Sequence, residues 1–143
     1  MKIIITSGFF NPIHSGHISY LKEARKLGDN LFVILKNDSQ VKLKGSKEFL
    51  KEDERYIIME NLKGIDRVFL SKSKDKSVCS DLIKLKNMFP DDELIYVKGG
   101  DQDPKNVYES ATCVDNGIKL ILDVGCKKTQ SSSKILNKLD NGW

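Results

Sequence analysis

Both histidines of this chain, His14 and His17, stand three residues apart in one short segment, Gly8-Phe9-Phe10-Asn11-Pro12-Ile13-His14-Ser15-Gly16-His17. Such a pair could bind a metal, but it supplies two ligands, and no third histidine exists to complete a site. Position points to different chemistry. The segment follows a run of β-branched residues and leads into a helical pattern, so the pair falls where a helix begins. A helix N-terminus offers unbonded N–H groups and the positive end of its dipole, and both favour phosphate. Gly8 and Gly16 let backbone approach a ligand closely. Two imidazoles there can donate hydrogen bonds to phosphoryl oxygens as charge develops on them.

The elements that hold this loop can be read from hydrophobic periodicity. Residues 2–6 form an apolar run of the kind found in buried parallel strands. In residues 15–27, Ile18, Tyr20, Leu21, Ala24 and Leu27 recur at helical spacing, and Gly28 supplies a stop. Residues 31–35, 67–70, 94–97 and 119–124 are predicted as further strands. A second helix is predicted over 53–62 through Tyr56, Ile57, Met59 and Leu62. A third carries the stripe Val78, Leu82, Leu85, Phe89 and ends at Pro90. A weaker helix is expected over 104–116, with Pro104 in its first turn and Gly117 past its end. The last is predicted over 131–139, with Ile135, Leu136 and Leu139 inward. Strand and helix alternate to five strands, which predicts an α/β fold: a parallel five-stranded sheet with helices on both faces. Ligands of such sheets bind beyond the carboxyl ends of the strands, at the switch point. The loops after Thr6, Leu35, Leu70, Val97 and Val124 are therefore the places for a site.

Composition sets the class. The chain has 143 residues, 24 Lys+Arg against 20 Asp+Glu and a formal charge of +4, with 39% hydrophobic and 31% charged residues. This fits a globular domain that buries a core without disulfides or structural metal, and residues 1–143 read as one domain. Cys79, Cys113 and Cys126 are odd in number and form no CxxC pair, so reduced thiols are expected rather than a zinc site or disulfide framework. The N-terminal apolar run is too short for a signal peptide. No stretch approaches the ~20 apolar residues of a membrane helix. A cytoplasmic protein without a membrane partner is expected. The charge suits an anionic small molecule. The lysines are scattered without interleaved aromatics, which weighs against a nucleic-acid partner.

Three more segments stand at expected strand ends. They are Val41-Lys42-Leu43-Lys44-Gly45 with Glu52-Asp53-Glu54-Arg55 beyond it, Tyr96-Val97-Lys98-Gly99-Gly100-Asp101, and Gln130-Ser131-Ser132-Ser133-Lys134-Ile135. Singly they could be surface lysines, a helix-surface arginine, a glycine turn and a serine cap. Together with His14-Ser15-Gly16-His17, and in this order, they resemble the HxGH nucleotidyltransferase superfamily over about residues 2–139. The heptose-phosphate adenylyltransferase and glycerol-3-phosphate cytidylyltransferase types are the most similar. The class I aminoacyl-tRNA synthetases share the HxGH element, but this chain has no KMSKS-like run.

The resemblance implies a Rossmann-like α/β fold and transfer of a nucleotidyl group (AMP or CMP) from an NTP, ATP or CTP, to a phosphorylated small acceptor, with release of pyrophosphate. It gives the reacting phosphates to His14 and His17. Lys44, with Lys42 as the alternative, neutralises the transferring phosphoryl group. Gly8, Phe9 and Gly16 border the nucleotide, and Gly99, Gly100 and Asp101 face its ribose or base. Ser131, Ser132 and Ser133 hold the leaving pyrophosphate. Arg55 and Lys42 bind the acceptor phosphate, or Arg55 supports the site. Mg²⁺ is implied on the triphosphate oxygens, with no metal ligands from the protein. The family commonly forms dimers, so a homodimer is within the resemblance.

The chain departs from the pattern in places. Asn11 stands where glycerol-phosphate cytidylyltransferases usually carry Asp. Lys127 and Lys128 occupy a region where the family often has Arg, and Gln130 replaces an apolar residue. The KGGD-like run tilts the reading toward an adenylyltransferase acting on a sugar phosphate. The alternative is a catalytically inactive nucleotide-binding regulatory domain. The core is expected to use nearly the whole length, without an appended kinase, lid or regulatory domain.

Overall fold

In the computed structural model of this chain, residues 1–99, 107–122 and 124 are described. The strands are β1 (Lys2–Gly8), β2 (Asn30–Leu35), β3 (Arg67–Leu70), β4 (Glu93–Val97) and β5 (Lys119–Ile121). The helices are α1 (Ser15–Arg25), α2 (Asp38–Lys44), α3 (Glu52–Glu60), α4 (Cys79–Met88) and α5 (Ser110–Asp115). The sheet order is β3-β2-β1-β4-β5 and every neighbouring pair is parallel. This is the Rossmann-like α/β sheet expected from the alternation. The chain steps outward from β1 to β3, then returns to place β4 on the other side of β1. The strand order therefore reverses between β1 and β4, and sheets of this order bind ligands beyond the carboxyl ends of the strands at that switch point.

The pleat sorts side chains to two faces. Ile3, Ile5, Phe32, Ile34, Leu94 and Tyr96 pack with Leu82 and Leu85 of α4 and Cys113 of α5. Ile4, Leu31, Val33, Leu35, Ile95 and Val97 pack with Leu21 and Ala24 of α1 and Met59 of α3. Runs such as Ile3-Ile4-Ile5 are apolar throughout because both faces are covered. Gly28 closes the turn from α1 to β2 by close approach: a Cβ there would meet the Ile4 side chain at 2.8 Å and the Lys2 carbonyl oxygen at 2.9 Å.

The helix α2 is absent from the periodicity reading. Its sequence is mostly polar, and the residues it buries are Gln40 and Val41. Capping makes it. Asn37 Oδ1 accepts from Gln40 N at 2.9 Å, Gln40 Oε1 accepts from Asn37 N at 3.0 Å, and Gly45 ends the helix at φ +79. The buried Gln40 amide also donates to Asp75 O and Ser77 O, holding the loop before α4. Further on, α5 is shorter than the expected 104–116, and β5 ends at Ile121 rather than Val124. The expected helix over 131–139 lies outside the described residues. Among the described residues no helix is long and apolar enough to cross a membrane.

Candidate active site

The two histidines cap α1 reciprocally. His14 is the N-cap, and its Nδ1 accepts from Gly16 N at 3.1 Å. Three residues on, His17 Nδ1 accepts from His14 N at 3.1 Å. The pair takes the geometry of a Ser/Thr–Glu capping box, with imidazole nitrogens as acceptors. The rings stack at 3.8 Å between centroids, 27° from parallel, and the buried Phe10 meets the His17 ring edge-on at 4.8 Å. The sequence reading did not include this cap, and it bears on the chemistry. A nitrogen that accepts a backbone N–H carries no proton, so in each neutral ring the proton sits on Nε2. Each histidine is thereby set as an Nε2–H donor at the start of a helix.

The loop between β1 and α1 is held from beneath. Phe10 adopts φ 49, a left-handed conformation in which a bulky residue is strained and needs support. Asn11, 3% exposed, accepts from Phe49 N and Leu50 N at 2.8 and 2.9 Å and donates to Lys47 O at 2.7 Å. Arg55, 1% exposed, donates to Phe9 O at 2.8 Å, Lys36 O at 2.7 Å, Leu50 O at 3.0 Å and Asp38 Oδ1 at 2.7 Å. Its guanidinium therefore ties the first loop, the end of β2, the start of α2 and the segment before α3 to one another. Sequence reasoning offered Arg55 two roles, acceptor phosphate or support, and this geometry is that of support.

Above this base lies a basic rim. Lys44 Nζ sits 4.7 Å and Lys36 Nζ 4.9 Å from the centroid of the half-buried Phe9 ring. Lys36 Nζ also donates to Lys76 O at 3.0 Å. Burial first, then the Lys98 charge, lowers the Lys36 ammonium from its usual range; Glu109 opposes this and Lys44 adds to it. Lys98 Nζ lies 3.5 Å from Oε1 of the buried Glu109. Beneath them the Tyr96 hydroxyl sits between Ser7 Oγ (2.5 Å) and Glu109 Oε1 (3.4 Å). Burial, then the Glu109 charge, pushes that phenol well up, so it is a neutral hydrogen-bonding group. Sequence reasoning missed Lys36 and Glu109. Lys36 is one lysine among many, and its only sequence signal is its place directly after an apolar strand.

The remaining expected residues divide by location. Gly8 ends β1 and its carbonyl accepts from Lys36 N at 2.8 Å. Gly16 lies in the first turn of α1. Lys42 and Lys44 lie in the last turn of α2, and both are exposed. Gly99 follows β4 and is closely packed: a Cβ there would stand 3.0 Å from Val124 O and 3.1 Å from the Tyr20 ring. Gly100, Asp101, Ser131, Ser132 and Ser133 lie outside the described residues, as do Lys127, Lys128 and Gln130. The structure thus brings His14, His17, Gly8, Phe9, Gly16, Lys44, Arg55 and Gly99 to the carboxyl edge of the sheet. Among the described residues no three His, Cys, Asp or Glu side chains come together as a metal site.

This arrangement, with its stacked histidines at a helix start beside a parallel sheet of order 3-2-1-4-5, has relatives. The cytidylyltransferase-like family matches residues 5–138. The chain belongs to the cytidylyltransferase-like family. Bifunctional protein HldE of Citrobacter koseri is 34% identical over 144 residues, covering 97% of this chain and 28% of that protein. The Escherichia coli (strain K12 / DH10B) protein of the same name is 34% identical over 139 residues, 94% of this chain. The chain thus spans little more than a quarter of the length of these relatives. A lipopolysaccharide core biosynthesis protein from Thermoplasma volcanium shares the fold at TM-score 0.69 and 26% identity, covering 89% of this chain and 99% of that one. A bifunctional NMN adenylyltransferase/ADP ribose pyrophosphatase from Francisella tularensis, solved with AMP and a manganese ion, matches at TM-score 0.67 and 16% identity over 99% of this chain and 42% of that one. That last likeness is one of fold.

Proposed function

We propose that this cytidylyltransferase-like chain transfers a nucleotidyl group from an NTP to a phosphorylated small acceptor. An acceptor phosphate oxygen attacks the α-phosphorus in line, the new P–O bond forms, and the bond to the bridging oxygen breaks to release pyrophosphate. No nucleophile from the protein is required. Catalysis is alignment together with stabilisation of charge on the phosphates. The observation that carries the reading is the reciprocal histidine cap. With each Nδ1 accepting a backbone N–H, each neutral ring carries its proton on Nε2, the tautomer that can donate to a phosphoryl oxygen.

The other roles are those that the family resemblance implies. Lys44 neutralises the transferring phosphoryl group, with Lys42, two residues earlier, as the alternative. Gly8, Phe9 and Gly16 border the nucleotide. Gly99 with Gly100 and Asp101 faces its ribose or base, and Ser131, Ser132 and Ser133 hold the pyrophosphate. Arg55 supports the loop that carries the histidines. Mg²⁺ on the triphosphate oxygens would neutralise charge there, and phosphates serve as its ligands without a dedicated protein cage. The KGGD-like run, which resembles the heptose-phosphate adenylyltransferase type, favours ATP and a sugar phosphate as the pair.

The test is a pyrophosphate-release screen. ATP, CTP, GTP and UTP are crossed with sugar phosphates, glycerol 3-phosphate, phosphocholine and nicotinamide mononucleotide. The expected result is release with one NTP only when a phosphorylated acceptor is present, abolished in His17→Ala with the fold intact. Tight NTP binding without turnover across the panel would overturn the enzymatic reading.

A further inference from the structure

Charged groups at the carboxyl edge of the sheet fall on two sides of β1. The histidine pair caps α1, which packs on the face of the sheet that carries Ile4, Val33 and Val97. Lys36 and Lys98 continue the opposite set. Lys36 follows Phe32 and Ile34 at every second position of β2, and Lys98 follows Leu94 and Tyr96 in β4, all on the face covered by α4 and α5. Their bonds agree with this placement. Lys36 reaches the carbonyl of Lys76 in the loop before α4, and Lys98 reaches Glu109 at the start of α5. Ser7, two residues past Ile5 on the same face, lies beside Tyr96.

Lys36 is unusual among these cations. Its backbone is fixed at both ends, N–H to Gly8 O and carbonyl to Arg55, so the side chain emerges from a rigid base. Its stem is half-buried, its ammonium bonds one carbonyl, and no carboxylate of the described residues lies within ion-pair distance of it. Among the described residues, the two nearby acids are committed elsewhere. Glu109 meets Lys98, Tyr96 Oη and Val78 N, and Asp75 accepts from Ser73 Oγ, Ser77 Oγ and Ser77 N. Desolvating an ammonium group without a counter-ion is costly. Folding nevertheless brings Lys98 and Lys44 close enough to disfavour its charge further. A ligand with two negative charges and several acceptor oxygens removes that cost.

We propose that Lys36 and Lys98 form the binding site for the acceptor's phosphomonoester, on the α4 side of β1 and across that strand from the histidine pair. The proposal deepens the nucleotidyltransferase reading and rests on it for the word acceptor. It replaces Arg55 and Lys42 in that role, since the Arg55 guanidinium is buried among four protein acceptors and Lys42, unlike Lys36, is not against the Phe9 ring. Two anions approaching from the two faces of the sheet meet at the end of β1, where Phe9 stands between them with Lys36 and Lys44 against its ring.

The test uses the full chain saturated with Mg²⁺ and the non-reactive analogue AMPCPP, which fills the nucleotide subsite. Inorganic phosphate and glucose 1-phosphate are titrated in by calorimetry, with glucose as the uncharged control. The wild type is expected to bind both phosphates and not glucose. In Lys36→Met, phosphate affinity should fall about tenfold or more, the scale of one charge-assisted hydrogen bond. In Lys36→Arg it should stay within about threefold of wild type. AMPCPP affinity should change by less than about twofold in both variants. Lys36→Arg keeps the charge, so it reports on the site even if Lys36→Met is poorly folded. Equal phosphate affinity in wild type and Lys36→Met, a parallel loss of AMPCPP affinity, or no phosphate binding by wild type would each overturn the proposal. If the wild type fails to bind AMPCPP or any other NTP, the nucleotidyltransferase reading fails separately. The same phosphate titration without nucleotide then still decides whether Lys36 holds the anion.

Discussion

The histidines cap α1, and the proposed reaction gives them a second job at phosphate that substitution can separate from the first. His14→Asn retains a favoured N-cap, because the Asn side-chain oxygen can accept from the first-turn N–H as His14 Nδ1 does. Its stability in thermal unfolding should stay within about 0.5 kcal/mol of wild type, while pyrophosphate release falls about a hundredfold with the loss of one phosphate donor. His17→Ala removes both jobs. The same drop in release or a larger one is expected, now with about 1 kcal/mol of stability lost through the vacated half of the capping box. Equal activity in His14→Asn and wild type would leave His14 a cap alone. Asn11 shows how a family difference can be structural. Sequence comparison makes it a mark of substrate type, yet its amide joins Lys47 O to the N–H groups of Phe49 and Leu50. Asn11→Asp keeps the acceptor but turns a carboxylate oxygen toward Lys47 O. A loss of about 1–3 kcal/mol is expected by chemical denaturation, the cost of an unsatisfied buried group. The histidine pair was legible in sequence because residue type and spacing suffice. The protonated nitrogen was not, because it depends on which backbone N–H each ring meets.

At the scale of elements, Arg55 does what a sheet alone cannot. Four segments that β1, β2, α2 and α3 leave at the carboxyl edge converge on its guanidinium. Its side chain is 0% exposed beside Asp38 at 24%, so the ion pair is dry on one side and partly wet on the other. Arg55→Met therefore strands the carbonyls of Phe9, Lys36 and Leu50 more than it strands Asp38. The expected cost is about 3 kcal/mol in denaturant unfolding, with Arg55→Lys recovering only part of it, because an ammonium cannot span a planar fork of acceptors. Both variants should lose activity in proportion to loop order, and acceptor and NTP KM should rise together. A rise in acceptor KM alone would return Arg55 to the substrate. The helix α2 marks where periodicity fails. Its formation rests on the Asn37–Gln40 box and on Gln40 amide bonds to Asp75 O and Ser77 O, long-range contacts that a local pattern of apolar residues does not encode. The strands were legible for the opposite reason: each is an apolar run buried on both faces, and tertiary context only confirms what the local pattern requires.

For the whole molecule, a formal charge of +4 matters less than where folding concentrates it. The parallel sheet brings the ends of β1, β2 and β4 to one edge, and with them Lys36 and Lys98, which are 62 residues apart in sequence, and Lys44. The unfolded chain keeps these cations far apart and hydrated; the folded one partly buries Lys36 beside the other two. Burial first, then Lys98, lowers its pKa below the usual 10.5. The unfolded chain therefore holds the Lys36 proton more tightly than the folded chain does. Below the folded-state pKa the penalty on folding is complete. It is relieved as pH rises through that value toward 10.5, where both states have lost the proton. Lys36→Met has no such proton. Whatever offset at neutral pH comes from losing the bond to Lys76 O, the wild type should gain stability relative to the variant as pH rises toward 10.5. Urea unfolding of both proteins across that range, without phosphate, measures the difference directly. A gap that stays flat, or that moves against the wild type, would mean that the Lys36 ammonium is as well accommodated in the fold as in water, and that no cationic strain awaits an anion at this edge.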